Sequence, residues 1–128
     1  MKVTNYIITH KAFTPPELPD YTPLQVGGGP DLGWLRDNTG QEISAKNPNW
    51  CELTGLYWIW KNDQESDIVS ISHYRRYFQG KNGILRSEEA KELLETADVL
   101  LAEFEPYKET AYRQYCNESG FSKDLDNV

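Results

Sequence analysis

The chain has only two cysteines in 128 residues, Cys51 and Cys116. They lie far apart and fit no metal-ligand spacing, which excludes a disulfide framework and a cysteine-built metal centre. Both read as reduced, cytosolic thiols. Histidine is equally scarce, with only His10 and His73. Neither a Ser/His/Asp triad nor a metal cluster can be assembled from so few, and the Arg-His-Gly order of histidine phosphatases is missing. No segment nears the roughly 20 apolar residues that span a bilayer. The run from Met1 to Ile8 is too short for a signal peptide. Positive charge is also in deficit, with 13 Lys and Arg against 20 Asp and Glu, a net charge of −7. A phosphate-backbone binder needs a basic face, so nucleic acid is excluded as a partner. The expectation is a cytoplasmic protein, with peripheral membrane contact at the inner face still compatible. No internal repeat is visible.

What the chain has in quantity is aromatic surface, 12% of its residues, including four Trp and eight Tyr. Such rings need a core or a ligand cleft to pack against. The length suits one small domain, residues 1–128, with enough chain to bury a core. Arg75 and Arg76 stand together inside an aromatic run. A local basic pocket in an acidic protein suits a small phosphorylated ligand.

Val3 to Thr9 reads as a first strand, being rich in β-branched and aromatic residues. A long irregular stretch follows, from Ala12 to about Lys46, with five prolines and the run Gly27-Gly28-Gly29. Those glycines lack the G-x-x-x-x-G-K-[ST] pattern and read as a flexible linker. Asn47-Pro48 predicts a helix start with Asn47 as the cap. Asn49 to Trp60 is apolar nearly all round, which predicts a helix buried on most sides. Asp67 to Ser72 reads as a short central strand. Ser87 is the expected cap of another helix, with Glu88 and Glu89 in its first turn and Ala90, Leu93, Leu94 and Ala97 on one apolar face. Asp98 to Ala102 reads as a further strand, and Lys108 to Glu118 as a last helix presenting Tyr112, Tyr115 and Cys116. Strands alternating with helices predict an α/β fold on a mostly parallel sheet.

From Ile8 to Phe78 the order of motifs resembles one bacterial family. The carrying residues are Thr9-His10-Lys11, Tyr21-x-Pro23 with Val26-Gly27, Asp37-Asn38-Thr39-Gly40, Ile43-Ser44 and Lys46-Asn47. They continue with Cys51-Glu52-Leu53-Thr54-Gly55-Leu56-Tyr57-Trp58, Trp60-Lys61-Asn62 and His73-Tyr74-Arg75-Arg76-Tyr77-Phe78. That family occurs in capsular and exopolysaccharide loci, was long catalogued as a domain of unknown function, and is grouped with GT-A-type glycosyltransferases. The resemblance implies a GT-A-like, Rossmann-like fold flanked by helices. It also implies the N-terminal, sugar-nucleotide-binding part of an enzyme whose acceptor half would follow, so the fold is expected to be incomplete at its C-terminus. The tail around Gly120-Phe121-Ser122 looks like the start of that next segment. The implied partners are a nucleotide-diphosphate sugar, best a UDP-sugar, and a glycan or lipid-linked acceptor.

Ordinary GT-A enzymes place an Asp-x-Asp metal site just after a central strand. Here that place reads His73-Tyr74-Arg75, so the arginines are expected to neutralise the diphosphate without a metal, Mn²⁺ or Mg²⁺ remaining the alternative. Arginine's planar fork binds phosphate oxygens bidentately and stays charged. Arg75, Arg76 and His73 are the candidate catalytic residues. The plainer reading has the arginines paired with surface acids and His73 as a structural histidine. Thr9, His10 and Lys11 end a strand where open α/β sheets bind ligands, and are expected to hold the nucleotide. Asp37 and Asn38 either touch the donor or form a plain turn. Glu52, the one acid on an apolar helix, should be buried against Lys46, Arg75 or Arg76, or else face the cleft in a ligand or catalytic role. The rival to an enzyme is a non-catalytic nucleotide-binding or assembly module.

Overall fold

The computed structural model describes residues 1–103, 105–106 and 108–120. Phe121 and Ser122 of the tail motif lie outside them. Strand β1, Val3–Thr9, is where the sequence puts it. It is flanked by β2, Tyr21–Gln25, and β4, Ile68–His73, both parallel to it. β3, Leu35–Arg36, adds to the far side of β2, giving the order β3-β2-β1-β4 in one parallel sheet. The α/β class is as expected. β4 is an edge strand among the described residues, where the sequence suggested a central one.

The stretch from Ala12 to Lys46 is less irregular than its composition suggests, since it supplies β2 and β3. Pro23 hides β2 because proline cannot donate to a ladder. Val26 N–H donates to Thr9 O and Gln25 O accepts from Asp37 N–H. By the strand's two-residue alternation, the nitrogen of Pro23 faces the β3 side. β3 pairs only with Leu24 and Gln25, so the missing donor leaves no ladder bond unmade.

The helical segment also differs from expectation. It is split into α1, Asn47–Trp50, and α2, Leu53–Asn62, by Cys51, whose backbone takes φ 48° and ψ −127°. Asn47 is not the cap: Lys46 holds that position. The Asn47 side-chain amide instead donates to Cys51 O and Thr54 Oγ1, at 2.8 and 3.1 Å, closing the kink from inside. Nor is the segment buried on most sides. Thr54, Gly55, Trp58 and Ile59 face the sheet, while Trp50, Leu53, Leu56 and Trp60 are exposed. The core is a single seam of Tyr6, Ile8, Leu24, Val26, Trp58 and Ile59. Gly55 permits that seam: a Cβ there would stand 2.8 Å from Ile8 Cδ1 and 3.0 Å from Val26 Cγ1.

On the other face lie a hairpin of β5, Gln79–Gly80, and β6, Gly83–Ile84, and helix α3, Ser87–Leu94. Glu88 and Glu89 are in the first turn of α3 as expected, but Ser87 does not cap it. Its hydroxyl accepts instead from the buried Asn5 amide at 3.2 Å. The expected apolar face is only partly covered, with Ala90 buried and Leu93 and Ala97 exposed. Asp98 to Ala102 forms no strand; Val99 and Leu101 stand open to solvent. Helix α4, Ala111–Ser119, starts at a Thr110 cap that accepts from Arg113 N–H. Both cysteines are free. No helix among the described residues is long and apolar enough to cross a membrane.

Candidate functional site

Three parallel strands deliver their C-terminal ends to one place, where ligands bind open α/β sheets. The ends of β1 and β4, with Val26 beyond β2 and the α1–α2 kink, enclose a cleft of about 350 Å³. Thr9, His10, Glu52, His73 and Arg75 line it, so five of the expected site residues meet. Two larger cavities open elsewhere. One, of about 430 Å³, lies at the N-terminal end of the sheet beside Lys2, whose ammonium is already paired with Glu65 at 2.6 Å. The other, about 650 Å³ and largely apolar, runs along β4. Neither combines an imidazole, an arginine and a carboxylate, so the smaller cleft is the better candidate.

The two arginines part company. β4 ends in a tight turn in which His73 and Arg76 exchange backbone hydrogen bonds of 3.1 and 2.8 Å. Tyr74 and Arg75 sit at its tip, and Tyr74 N–H donates to Ile8 O at 3.1 Å. Arg75 therefore enters the cleft, its guanidinium 5.2 Å from the Tyr74 ring. Arg76 falls on the other side, in a cavity of about 210 Å³ with Tyr77, Phe78 and Ala102. Neither forms a salt bridge with an acid among the described residues, which leaves the plain surface-pairing reading without support.

His73 is mostly covered. Its Nδ1 accepts the Arg75 backbone N–H at 3.3 Å, which puts the ring proton on Nε2. Nε2 faces Glu52 Oε1 at 3.8 Å. Burial pushes the imidazole below its ordinary value; Glu52 opposes that, and the charges of Arg75, His10 and Arg76 add to it. The ring is thus neutral at neutral pH. Glu52 is not the buried acid the sequence suggested: it is exposed at the head of α2, and its neighbour is His73 in place of Lys46, Arg75 or Arg76.

The remaining expected residues lie apart from the cleft. Lys11 is exposed beyond it, its backbone tied to the Thr9 hydroxyl in a local turn. Asp37 is fully buried. Its carboxylate accepts from Gly27 N–H at 3.0 Å, Ser44 Oγ at 2.6 Å and Thr54 Oγ1 at 2.6 Å. It braces the cleft wall and does not reach the cleft. Asn38 is exposed on a turn that α2 holds from below: Trp58 Nε1 donates to Thr39 O at 2.8 Å and Asn62 Nδ2 to Gln41 O at 2.9 Å.

Sequence reasoning missed Asn47, Pro48, Cys51 and Val26 as cleft walls. Val26, Asn47 and Cys51 belong to the motifs of the family resemblance, and Asn47-Pro48 carries a helix-start signal, but neither signal points to a cleft wall. Sequence reasoning also missed an aromatic row that starts at His10, in which His10 meets Tyr74 edge-on at 5.6 Å and Phe13 bridges Tyr74 to Trp34 at 5.9 and 5.0 Å. Among the described residues no group of three His, Cys, Asp or Glu side chains is placed to hold a metal ion.

A family model described as "Domain of unknown function (DUF4422)" matches residues 4–128. No curated protein matches the chain. Among solved structures, the chain is similar to the apo form of the WbbM bifunctional glycosyltransferase, at 39% identity and a TM-score of 0.59. The similarity covers 62% of this chain and 14% of that one, so the chain spans a small part of the protein it resembles.

Proposed function

Since the chain belongs to the DUF4422 family, we propose that it is the donor-binding part of a glycosyltransferase that builds bacterial capsular or exopolysaccharide. It holds a nucleotide-diphosphate sugar, a UDP-sugar, in the cleft between the ends of β1 and β4. The reading includes a GT-A-type sheet, a glycan or lipid-linked acceptor, and a cytoplasmic location at the inner face of the membrane. The observation that carries it is the meeting of Arg75, His10, His73 and Glu52 in one cleft at the C-terminal ends of parallel strands. Arg75 has no acid partner among the described residues and is free to fork onto diphosphate oxygens. Stabilising the departing diphosphate is the chemistry such a transfer needs most. The reading makes Arg75 the group that meets it, with no metal.

The test is an amide-NMR titration with UDP, GDP and CDP, each with and without Mn²⁺. UDP is expected to move Thr9, His10, Glu52, His73 and Arg75 without metal. A folded spectrum that no nucleotide perturbs, or one perturbed only with Mn²⁺, contradicts the reading.

A second reading, a non-catalytic nucleotide-binding or assembly module, is favoured by a different observation. Trp50, Leu53, Leu56 and Trp60 form an exposed apolar stripe on α1 and α2, and such patches mark docking surfaces. A dimer in solution without sugar transfer would favour it.

A further inference from the structure

A donor site that transfers sugar must also remove a proton from the acceptor, and the imidazole and carboxylate groups of the cleft that could do so are His10, His73 and Glu52. His73 is already committed. Its Nδ1 lone pair takes the Arg75 backbone N–H, and its Nε2 stands 3.8 Å from Glu52 Oε1, beyond hydrogen-bond distance. A ring in that state can donate but cannot accept. His10 is turned edge-on against Tyr74 at the exposed rim. Glu52 differs from both: its carboxylate lies in the cleft, more than half exposed, with one oxygen 3.8 Å from His73 Nε2 and no hydrogen-bond donor claiming the other among the described residues. A carboxylate carries further lone pairs beyond the one that faces a single donor. Arg75, on a separate element of the same cleft, supplies the opposite charge.

We propose that Glu52 is the general base of the transfer. The proposal rests on the donor-site reading given above. In the step, a Glu52 oxygen takes the acceptor hydroxyl proton as that hydroxyl oxygen bonds to the anomeric carbon. The bond from that carbon to the diphosphate oxygen breaks, and its electron pair leaves with the nucleoside diphosphate, whose charge Arg75 meets. The products are the glycoside, the nucleoside diphosphate and a protonated Glu52. A single displacement of this kind inverts the anomeric centre.

The test uses the full chain with UDP-glucose and UDP-galactose, water or azide serving as acceptor. Glu52→Gln is expected to turn over sugar roughly 10²–10⁴-fold more slowly than the parent. Azide, which brings no proton to remove, is expected to restore turnover in Glu52→Ala and to give the glycosyl azide of inverted configuration. Full turnover by Glu52→Gln or a glycosyl azide of retained configuration would each overturn the proposal. So would a parent chain that binds UDP yet turns over neither sugar, since the step would then need groups that this chain does not supply. Failure of the parent to bind UDP at all is the separate outcome that removes the donor-site reading itself.

Discussion

The Thr54 hydroxyl on α2 donates to the fully buried carboxylate of Asp37 at 2.6 Å, joining the end of β3 to the helix that walls the cleft. The same carboxylate holds Gly27 and Ser44, and Thr54 in turn accepts from Asn47. One buried charge thus fixes four segments around the site. Asp37→Asn keeps the volume but turns one acceptor oxygen into an NH₂ that meets donors. Hydrogen bonds to a buried charge contribute about 1.5–3 kcal/mol each, so the variant should lose about 2 kcal/mol or more in urea unfolding. A change below about 0.5 kcal/mol, the range of ordinary surface substitutions, would contradict the bracing role.

Gly55 tests the close approach of α2 to the sheet. In an exposed helix Gly→Ala would gain about 1 kcal/mol. Here the new Cβ meets Ile8 Cδ1 at 2.8 Å and Val26 Cγ1 at 3.0 Å. Overpacking of this kind costs about 1–3 kcal/mol, so Gly55→Ala should be net destabilising. A stabilised variant would mean that the helix sits farther out.

The state of His73 gives a pH dependence. Burial, with help from Arg75, His10 and Arg76 and against the pull of Glu52, lowers its pKa from the ordinary 6.5. The unfolded chain therefore takes up this proton at higher pH than the folded one. Its contribution to stability is present above about pH 6.5 and is lost as pH falls through the folded value. Between pH 7.5 and 5.5 the parent should lose more unfolding free energy than His73→Gln does. Identical losses would show that His73 titrates as it does in the unfolded chain.

Much of this was legible in the sequence, and the exceptions share a cause. β1 is continuous and β-branched, so its bounds are those expected. β2 was hidden by Pro23, whose fitness for a strand depends on how far β3 extends. The kink at Cys51 depends on where the Asn47 amide points. The site was legible as far as His73, Arg75, His10, Thr9 and Glu52, because motif and strand end coincide there. Arg75 and Arg76 could not be told apart, since a two-residue turn decides which of them enters the cleft. Asp37 looked like a ligand because a turn signature cannot report burial; three donors from three other segments enclose it.

The central claim is that the donor site is the cleft reached by Arg75 and not by Arg76. It is tested most directly by calorimetric titration of UDP into the parent, Arg75→Ala and Arg76→Ala. A charged hydrogen bond to phosphate contributes about 1.5–3 kcal/mol, so Arg75→Ala should bind UDP roughly tenfold or more weakly, with Arg76→Ala within about threefold of the parent. Equal losses in the two variants, or a larger loss in Arg76→Ala, would contradict the account.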